Sequence, residues 1–275
     1  APIPAKPTRG EHSYRTVGTR MLATSCFLAL FAASATGLKS APRRPNILWI
    51  VADDYGHANL GHNNPNKAEA YTPNLDALIE EGIYLDRHYA YKICGPSRSS
   101  MQSGRLAVHV NAFNTAPTVH NVSDPISGYA GIPRNMTGIA QKMKAAGYST
   151  AMTGKWDAGM ATPDHTPYGR GYEEFYGYYM HANNYWTKGI DLESTGEIDT
   201  CLNKFTDLSH LNDTYRGGVR NSAELDSSCH LSDESDPECY EERIFKEKTL
   251  GILGMHDFTT KPLFMYHAFH LVHTP

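Results

Sequence analysis

From residue 44 onward, short unbroken apolar runs alternate with segments of helical spacing. "NILWIVA", residues 46–52, is a continuous apolar run of strand length, which predicts a strand buried on both faces; it stops at Asp53-Asp54. In "TPNLDALIEEG", Thr72 stands at an N-cap position and Pro73 at the first helical position. Leu75, Leu78 and Ile79 then share one face and Gly82 closes the element, so a helix is predicted. The run over residues 83–90 predicts a second strand leading into a loop around Cys94, with a helix over 96–104 directly behind it. Residues 136–146, closed by Gly147, predict another helix, and 148–153 a third strand that runs into Gly154-Lys155. Near the end, 240–253 has a helical pattern, and "LFMYHAF", residues 263–269, is a further buried strand leading to His270 and His273. This alternation predicts an α/β fold with a mixed, largely parallel central sheet flanked by helices.

The residues capable of chemistry cluster at the ends of those strands. Asp53 and Asp54 follow the first, Cys94 the second, Lys155 and Asp157 the third, and His273 the last. Open α/β sheets bind ligands in the crevice beyond the carboxyl ends of their strands, so separate segments deliver reactive groups to one edge. Taken singly, each has a plain alternative. Asp53-Asp54 offers hard oxygen ligands for Ca²⁺ or Mg²⁺, or is a solvated turn. Lys155 binds an anion or is a surface charge, and His273 is a site group or a half-buried imidazole. Cys94 alone reads as a small buried hydrophobe or as half of a disulfide.

Composition narrows the class. At 275 residues, 40% hydrophobic and 11% aromatic, the chain can bury a substantial core. A formal charge of −4 with dispersed Lys and Arg gives no footprint for nucleic acid, and no basic amphipathic run suggests a membrane surface. Residues 1–20 show no periodicity and read as an unstructured upstream segment. Residues 21–35, "MLATSCFLALFAASA", follow Arg15 and Arg20, carry a short apolar run and end in Ala-Ser-Ala. That order is the pattern of a secretory signal, and the run is too short to span a bilayer. Glycosylation sequons at Asn121, Asn135 and Asn212 fit the same compartment. Of Cys201, Cys229 and Cys239, two can pair, closing a loop that includes Cys239.

The segment "CGPSRSSMQSGR", from Cys94 through Arg98 to Arg105, resembles the signature of the type I sulfatases, C-x-P-S-R followed by a T-G-R-like stretch. "PNILWIVADDYG" resembles their first strand and metal-binding Asp pair, "TGKW" their second signature, and "HLVHTP" their later histidine segment, all in family order over residues 44–275. "GRGYEEFYGYY" is similar to the arylsulfatase B branch in particular. The resemblance implies an alkaline-phosphatase-like sulfatase fold and a secreted or lysosomal sulfuric ester hydrolase. It further implies that Cys94 is converted in the endoplasmic reticulum to Cα-formylglycine by the formylglycine-generating enzyme, which reads the unfolded C-x-P-x-R segment.

The same resemblance implies a role for each site residue. The hydrated formylglycine attacks the sulfur of a sulfate ester with one hydroxyl, and its second hydroxyl then expels sulfate as the aldehyde re-forms. Asp53, Asp54 and residue 94 hold Ca²⁺, with Mg²⁺ as the alternative ion. Arg98 orients the formylglycine, Lys155 binds sulfate or the leaving oxygen, and His273 contacts sulfate and can protonate the departing alcohol. The helix behind Cys94 is expected to aim backbone N–H groups at the anion. The substrate class implied is a sulfated glycan or small sulfate ester, and Asn183, Tyr185 and Trp186 are candidates for a sugar subsite. This chain departs from the family in two respects. The family reads G-K-W-H at its second signature where this chain has "GKWD", so Asp157 is expected to be a substituted base. The family domain also continues beyond the last residue here, with further metal ligands and a second lysine, so a C-terminally truncated domain is expected. A phosphoryl-transfer relative and a non-catalytic sulfate- or glycan-binding protein are the alternatives.

Overall fold

The computed structural model describes residues 44–189, 207–211 and 236–274. The expected upstream segment and signal, the sequon at Asn212, and Cys26, Cys201 and Cys229 lie outside the described residues. The elements are β1 (Ile47–Val51), α1 (Pro73–Glu81), α2 (Cys94–Ser103), α3 (Ile139–Ala145), β2 (Ser149–Lys155), β3 (Glu174–Tyr178), β4 (Ser209–Leu211), α4 (Glu241–Met255) and β5 (Leu263–Ala268). They build one sheet in the order β1-β5-β2-β3-β4. The first three pairings are parallel and only β4 runs antiparallel, on β3. The mixed, largely parallel sheet is therefore present.

The last strand in sequence sits between β1 and β2, which places the segments that follow β1, β5, β2 and β3 side by side along one edge. One face of the sheet packs Met152, Phe175, Phe264 and Tyr266 against Ile132, Ala140, Trp156 and Tyr172, on the α3 side. The other face packs Tyr176 and Tyr178 on Phe245 of α4, and Ala151, Leu263 and Met265 on Ile252 of the same helix. Close strand approach fixes one residue type: Gly154 has φ +88°, and a methyl group there would lie 1.8 Å from the carbonyl oxygen of Ala268.

Several sequence expectations shift. The first strand is not buried on both faces, because it is an edge strand in the described sheet and Leu48 and Ile50 are exposed. Residues 83–90 form no strand: they find no pairing partner among the described residues, and Ile83, Leu85 and Tyr89 are exposed. Thr72 precedes α1 as expected but does not cap it, since its hydroxyl bonds Asp76 and Gly61 instead. β3 and β4 had no counterpart in the sequence reading. Among the described residues no helix is long and apolar enough to cross a membrane.

Candidate active site

β1 ends two residues before Asp53, and the backbone there is stitched to the segment after β5. Asp53 N–H donates to the Leu271 carbonyl at 2.8 Å and Val272 N–H to the Asp53 carbonyl at 2.6 Å. α2 begins at Cys94 itself rather than at residue 96, so Cys94 occupies the first turn and Arg98, four residues on, lies on the same helical face. Cys94 Sγ is 3.5 Å from Asp53 Oδ1. Arg98 Nη1 donates to the Lys155 carbonyl at 2.7 Å, and its Nη2 is 3.5 Å from Asp53 Oδ2. Lys155, the last residue of β2, donates from Nζ to Asp53 Oδ2 at 2.6 Å. Asp53, Cys94, Arg98 and Lys155 are all buried. Two strands and one helix thus meet as a carboxylate held between two cations.

The electrostatics follow from that packing. Burial alone would raise the Asp53 carboxyl, but the Arg98 guanidinium and the Lys155 ammonium outweigh it and hold the group below the usual carboxylate range. Burial pushes the Cys94 thiol up; Lys155 opposes this, while Asp53 and Asp157 add to it. An unmodified Cys94 is therefore a poor thiolate and a poor nucleophile in this setting. Among the described residues it is the free cysteine, whereas Cys239 is disulfide-bonded.

His273 reaches the same place from beyond β5. Asp53, Cys94 and His273 each offer a ligand atom, and these atoms lie within 4.8 Å of one another. Asp54 is outside that compact group: its φ is +54°, its side chain is largely exposed, and its Oδ2 is 3.8 Å from His273 Nε2. Asp157 stands two residues past β2, also in the left-handed region at φ +44°. Its buried carboxylate lies beside α2, where a methyl on Gly95 would come 3.5 Å from Oδ1. Left-handed backbone at non-glycine residues is uncommon and concentrates at functional sites. The expected anion cradle at the start of α2 is narrower than its helical position suggests. Gly95 N–H is taken by Asn114 Oδ1 at 3.1 Å, and Pro96 has no N–H.

Three groups around the site were not anticipated. Glu241 and Glu242, the first residues of α4, are buried: Glu242 Oε1 accepts from Leu271 N–H at 2.9 Å, and Glu241 Oε1 is 2.5 Å from His270 Nδ1. Burial raises the Glu242 carboxyl to about 7, and burial with the nearby Lys155 lowers the His270 imidazole to about 3. These acids anchor the segment that carries His273. In the sequence they are the polar start of a helix, and nothing in "EERIFKEK" marks them as buried. The third group is His181, beyond β3, whose Nδ1 is 2.8 Å from Asp157 Oδ1. The sugar-subsite candidates are divided: Asn183 and Tyr185 are buried, and the Tyr185 hydroxyl donates to the His273 carbonyl at 2.7 Å, a structural role. Trp186 is half-buried against Tyr240, their rings 5.1 Å apart.

Known proteins resemble this chain in sequence and in fold. The family model described as Sulfatase matches residues 45–275. Arylsulfatase J of Mus musculus is 29% identical over 232 residues, which cover 84% of this chain and 33% of that protein. N-acetylgalactosamine-6-sulfatase of Sus scrofa is 33% identical over 152 residues, 54% of this chain and 28% of that protein. The crystal structure of Ps i-CgsB superposes with a TM-score of 0.62 at 25% identity over 85% of this chain and 46% of that one; a second structure of that protein, in complex with k-i-k-neocarrahexaose, gives 0.60. The chain therefore spans less than half the length of these relatives.

Proposed function

Because the chain belongs to the sulfatase family, we propose that it is the nucleophile-bearing part of an enzyme that hydrolyses sulfate esters of carbohydrates. One observation carries the reading: Asp53, Cys94, Arg98 and Lys155 converge from β1, α2 and β2 in a single buried cluster, with His273 at its rim. A buried carboxylate tied to two cations is costly to assemble for stability alone, and such clusters are retained where charge has work to do.

In this reading Lys155 and His273 bind the sulfate group, Arg98 fixes residue 94, and His273 protonates the departing alcohol. The donor set fits a hard divalent cation, since Asp53 and residue 94, once it carries hydroxyls, present oxygens within the span of one ion, with Asp54 on the adjoining turn. When bound, that ion, Ca²⁺ first and Mg²⁺ second, polarises sulfate oxygens and favours an ionised hydroxyl on residue 94. Asp157 is the base that receives the proton of the second hydroxyl of residue 94 as sulfate is expelled. Cys94 is buried once the chain has folded, so its conversion by the formylglycine-generating enzyme precedes folding, within the secretory pathway. A sugar substrate is favoured by the names of two relatives, one an N-acetylgalactosamine-6-sulfatase and one crystallised with neocarrahexaose.

The test uses the whole protein secreted from a host that carries out the conversion, with sulfated N-acetylgalactosamine, para-nitrophenyl sulfate and para-nitrophenyl phosphate as substrates. Repeated release of inorganic sulfate is expected, with the phosphate ester poor and Cys94→Ser stopping after one turnover. Preference for the phosphate ester, or full turnover by Cys94→Ser, contradicts the reading. Tight sulfate binding without turnover by the converted protein would leave a binding protein in its place.

A further inference from the structure

The second signature of this chain carries Asp157 where the family has histidine, yet an imidazole stands against that aspartate, brought by the segment after a different strand. β3 neighbours β2, so the segment after β3 runs beside the segment after β2 and brings His181 against Asp157. Their closest atoms, His181 Nδ1 and Asp157 Oδ1, are 2.8 Å apart. The Asp157 side chain is 1% exposed and that of His181 18%, so the pair runs from the buried surroundings of α2 toward the surface. The two atoms meet without hydrogen-bond alignment. Asp157 Oδ2 and both ring nitrogens of His181 are also buried without a hydrogen-bond partner among the described residues. Buried polar atoms are rarely left unpaired, and a group of them converging beside a nucleophile points to a partner that arrives with the reaction.

We propose that Asp157 and His181 together replace the single histidine of the family's second signature. His181 acts as the positioning residue that holds the Asp157 carboxylate toward residue 94 and relays its proton outward. The inference rests on the sulfatase reading above. In the step concerned, which expels sulfate, the O–H bond of the second residue-94 hydroxyl breaks and its proton goes to Asp157; the freed electron pair forms the C=O of the aldehyde as the C–O bond to sulfate breaks, and sulfate leaves with that bond's electrons. His181 then accepts it on Nδ1 and yields the opposite ring proton from Nε2, which is buried without a partner in this structure, to a water that enters beside it as sulfate leaves, as a two-nitrogen ring permits. The left-handed backbone at Asp157 belongs to the same arrangement: a short carboxylate two residues past β2 reaches the side of α2 only because the chain turns there, and Asp is among the few residues that accept that conformation. In the sequence His181 lies in "YMHANNYW", outside every signature, and only the β2–β3 pairing brings it to the site.

The test compares wild type, His181→Ala, His181→Asn and the double variant Asp157→His with His181→Ala, each with residue 94 verified as converted. Para-nitrophenol released in the first turnover and inorganic sulfate released at steady state are measured on para-nitrophenyl sulfate, and binding of inorganic sulfate is measured by calorimetry. For His181→Ala, first-turnover release within about 3-fold of wild type is expected, with sulfate release slowed about 100-fold, as for loss of a proton-transfer group. The double variant, which restores a histidine at position 157, is expected to recover most of that loss, and sulfate affinity should be unchanged throughout. His181→Asn keeps the shape of the site and should resemble His181→Ala. Equal rates in wild type and His181→Ala, a parallel loss in both phases, weakened sulfate binding, or no recovery in the double variant overturns the pairing while leaving the sulfatase reading standing. A wild-type protein that releases no sulfate overturns both.

Discussion

His267 on β5 ties together the two layers that carry the site, and protonating it should loosen them. Its Nδ1 is 2.7 Å from Thr153 Oγ1 on β2 and 2.8 Å from Thr249 Oγ1 on α4, and the two hydroxyls are themselves 2.7 Å apart. The residue is 4% exposed, and burial lowers its imidazole from 6.5 to about 4. The unfolded chain takes up this proton near pH 6.5 and the folded chain only near pH 4. Between those values the unfolded state binds more protons, and stability falls as pH falls. The full difference is worth about 3.4 kcal/mol, of which about 2 kcal/mol is lost by pH 5. Replacing His267 by Gln removes the titration and keeps an acceptor, at a cost of about 1–2 kcal/mol at neutral pH from lost ring packing on Phe269, 4.3 Å away between ring centroids. Urea unfolding of both proteins across pH 4 to 7.5 checks this, because other buried histidines contribute alike to both and cancel in the difference. The two stability curves should converge on acidification and cross near pH 5. Curves that stay parallel would refute the reasoning.

The remaining predictions concern the scaffold, the cation site and the surface. Gly154→Ala places a methyl against the Ala268 carbonyl at a left-handed φ and should destabilise by about 3 kcal/mol or more, read from the urea midpoint; a loss below about 1 kcal/mol would contradict the strand spacing described. Ca²⁺ should raise the melting temperature of the converted whole protein and EDTA should reverse this, whereas Asp53→Asn should remove the response. Asn121 and Asn135 are exposed, and the Asn121 side chain already turns back to accept from Ser123. Protein secreted from a glycosylating host should therefore lose mass on treatment with an N-glycosidase, and Asn121→Gln should lose one glycan.

Much of the site was legible because its residues sit at the carboxyl ends of apolar runs, and such runs are the strongest local signal a buried parallel strand leaves. Asp53, Lys155 and His273 were placed in this way, and the structure brings the first two into contact at 2.6 Å. Cys94 was placed for a partly mistaken reason. No strand precedes it; α2 starts at Cys94, with Ile93 extended before it and Ser97 N–H donating to the Ile93 carbonyl at 3.1 Å, a boundary that Pro96 in the sequence suggested two residues late. β3 was missed because "EFYGY" is short and carries a glycine and a charge, which masks its pattern although four of its five residues are buried. The buried Glu241 and Glu242 and the Asp157–His181 contact were beyond sequence reading for a shared reason. Each depends on which strands become neighbours, and β5 is inserted between strands that precede it in the chain.

The most direct measurement is the mass and reactivity of the peptide spanning residue 94, taken from the whole protein secreted by a eukaryotic host and assayed in parallel for sulfate release. An aldehyde is predicted at that position, captured by a hydrazide probe and resistant to thiol alkylation, in a preparation that liberates inorganic sulfate from a sulfated sugar. An alkylatable Cys94 thiol in protein that nonetheless turns over sulfate esters would contradict the formylglycine mechanism.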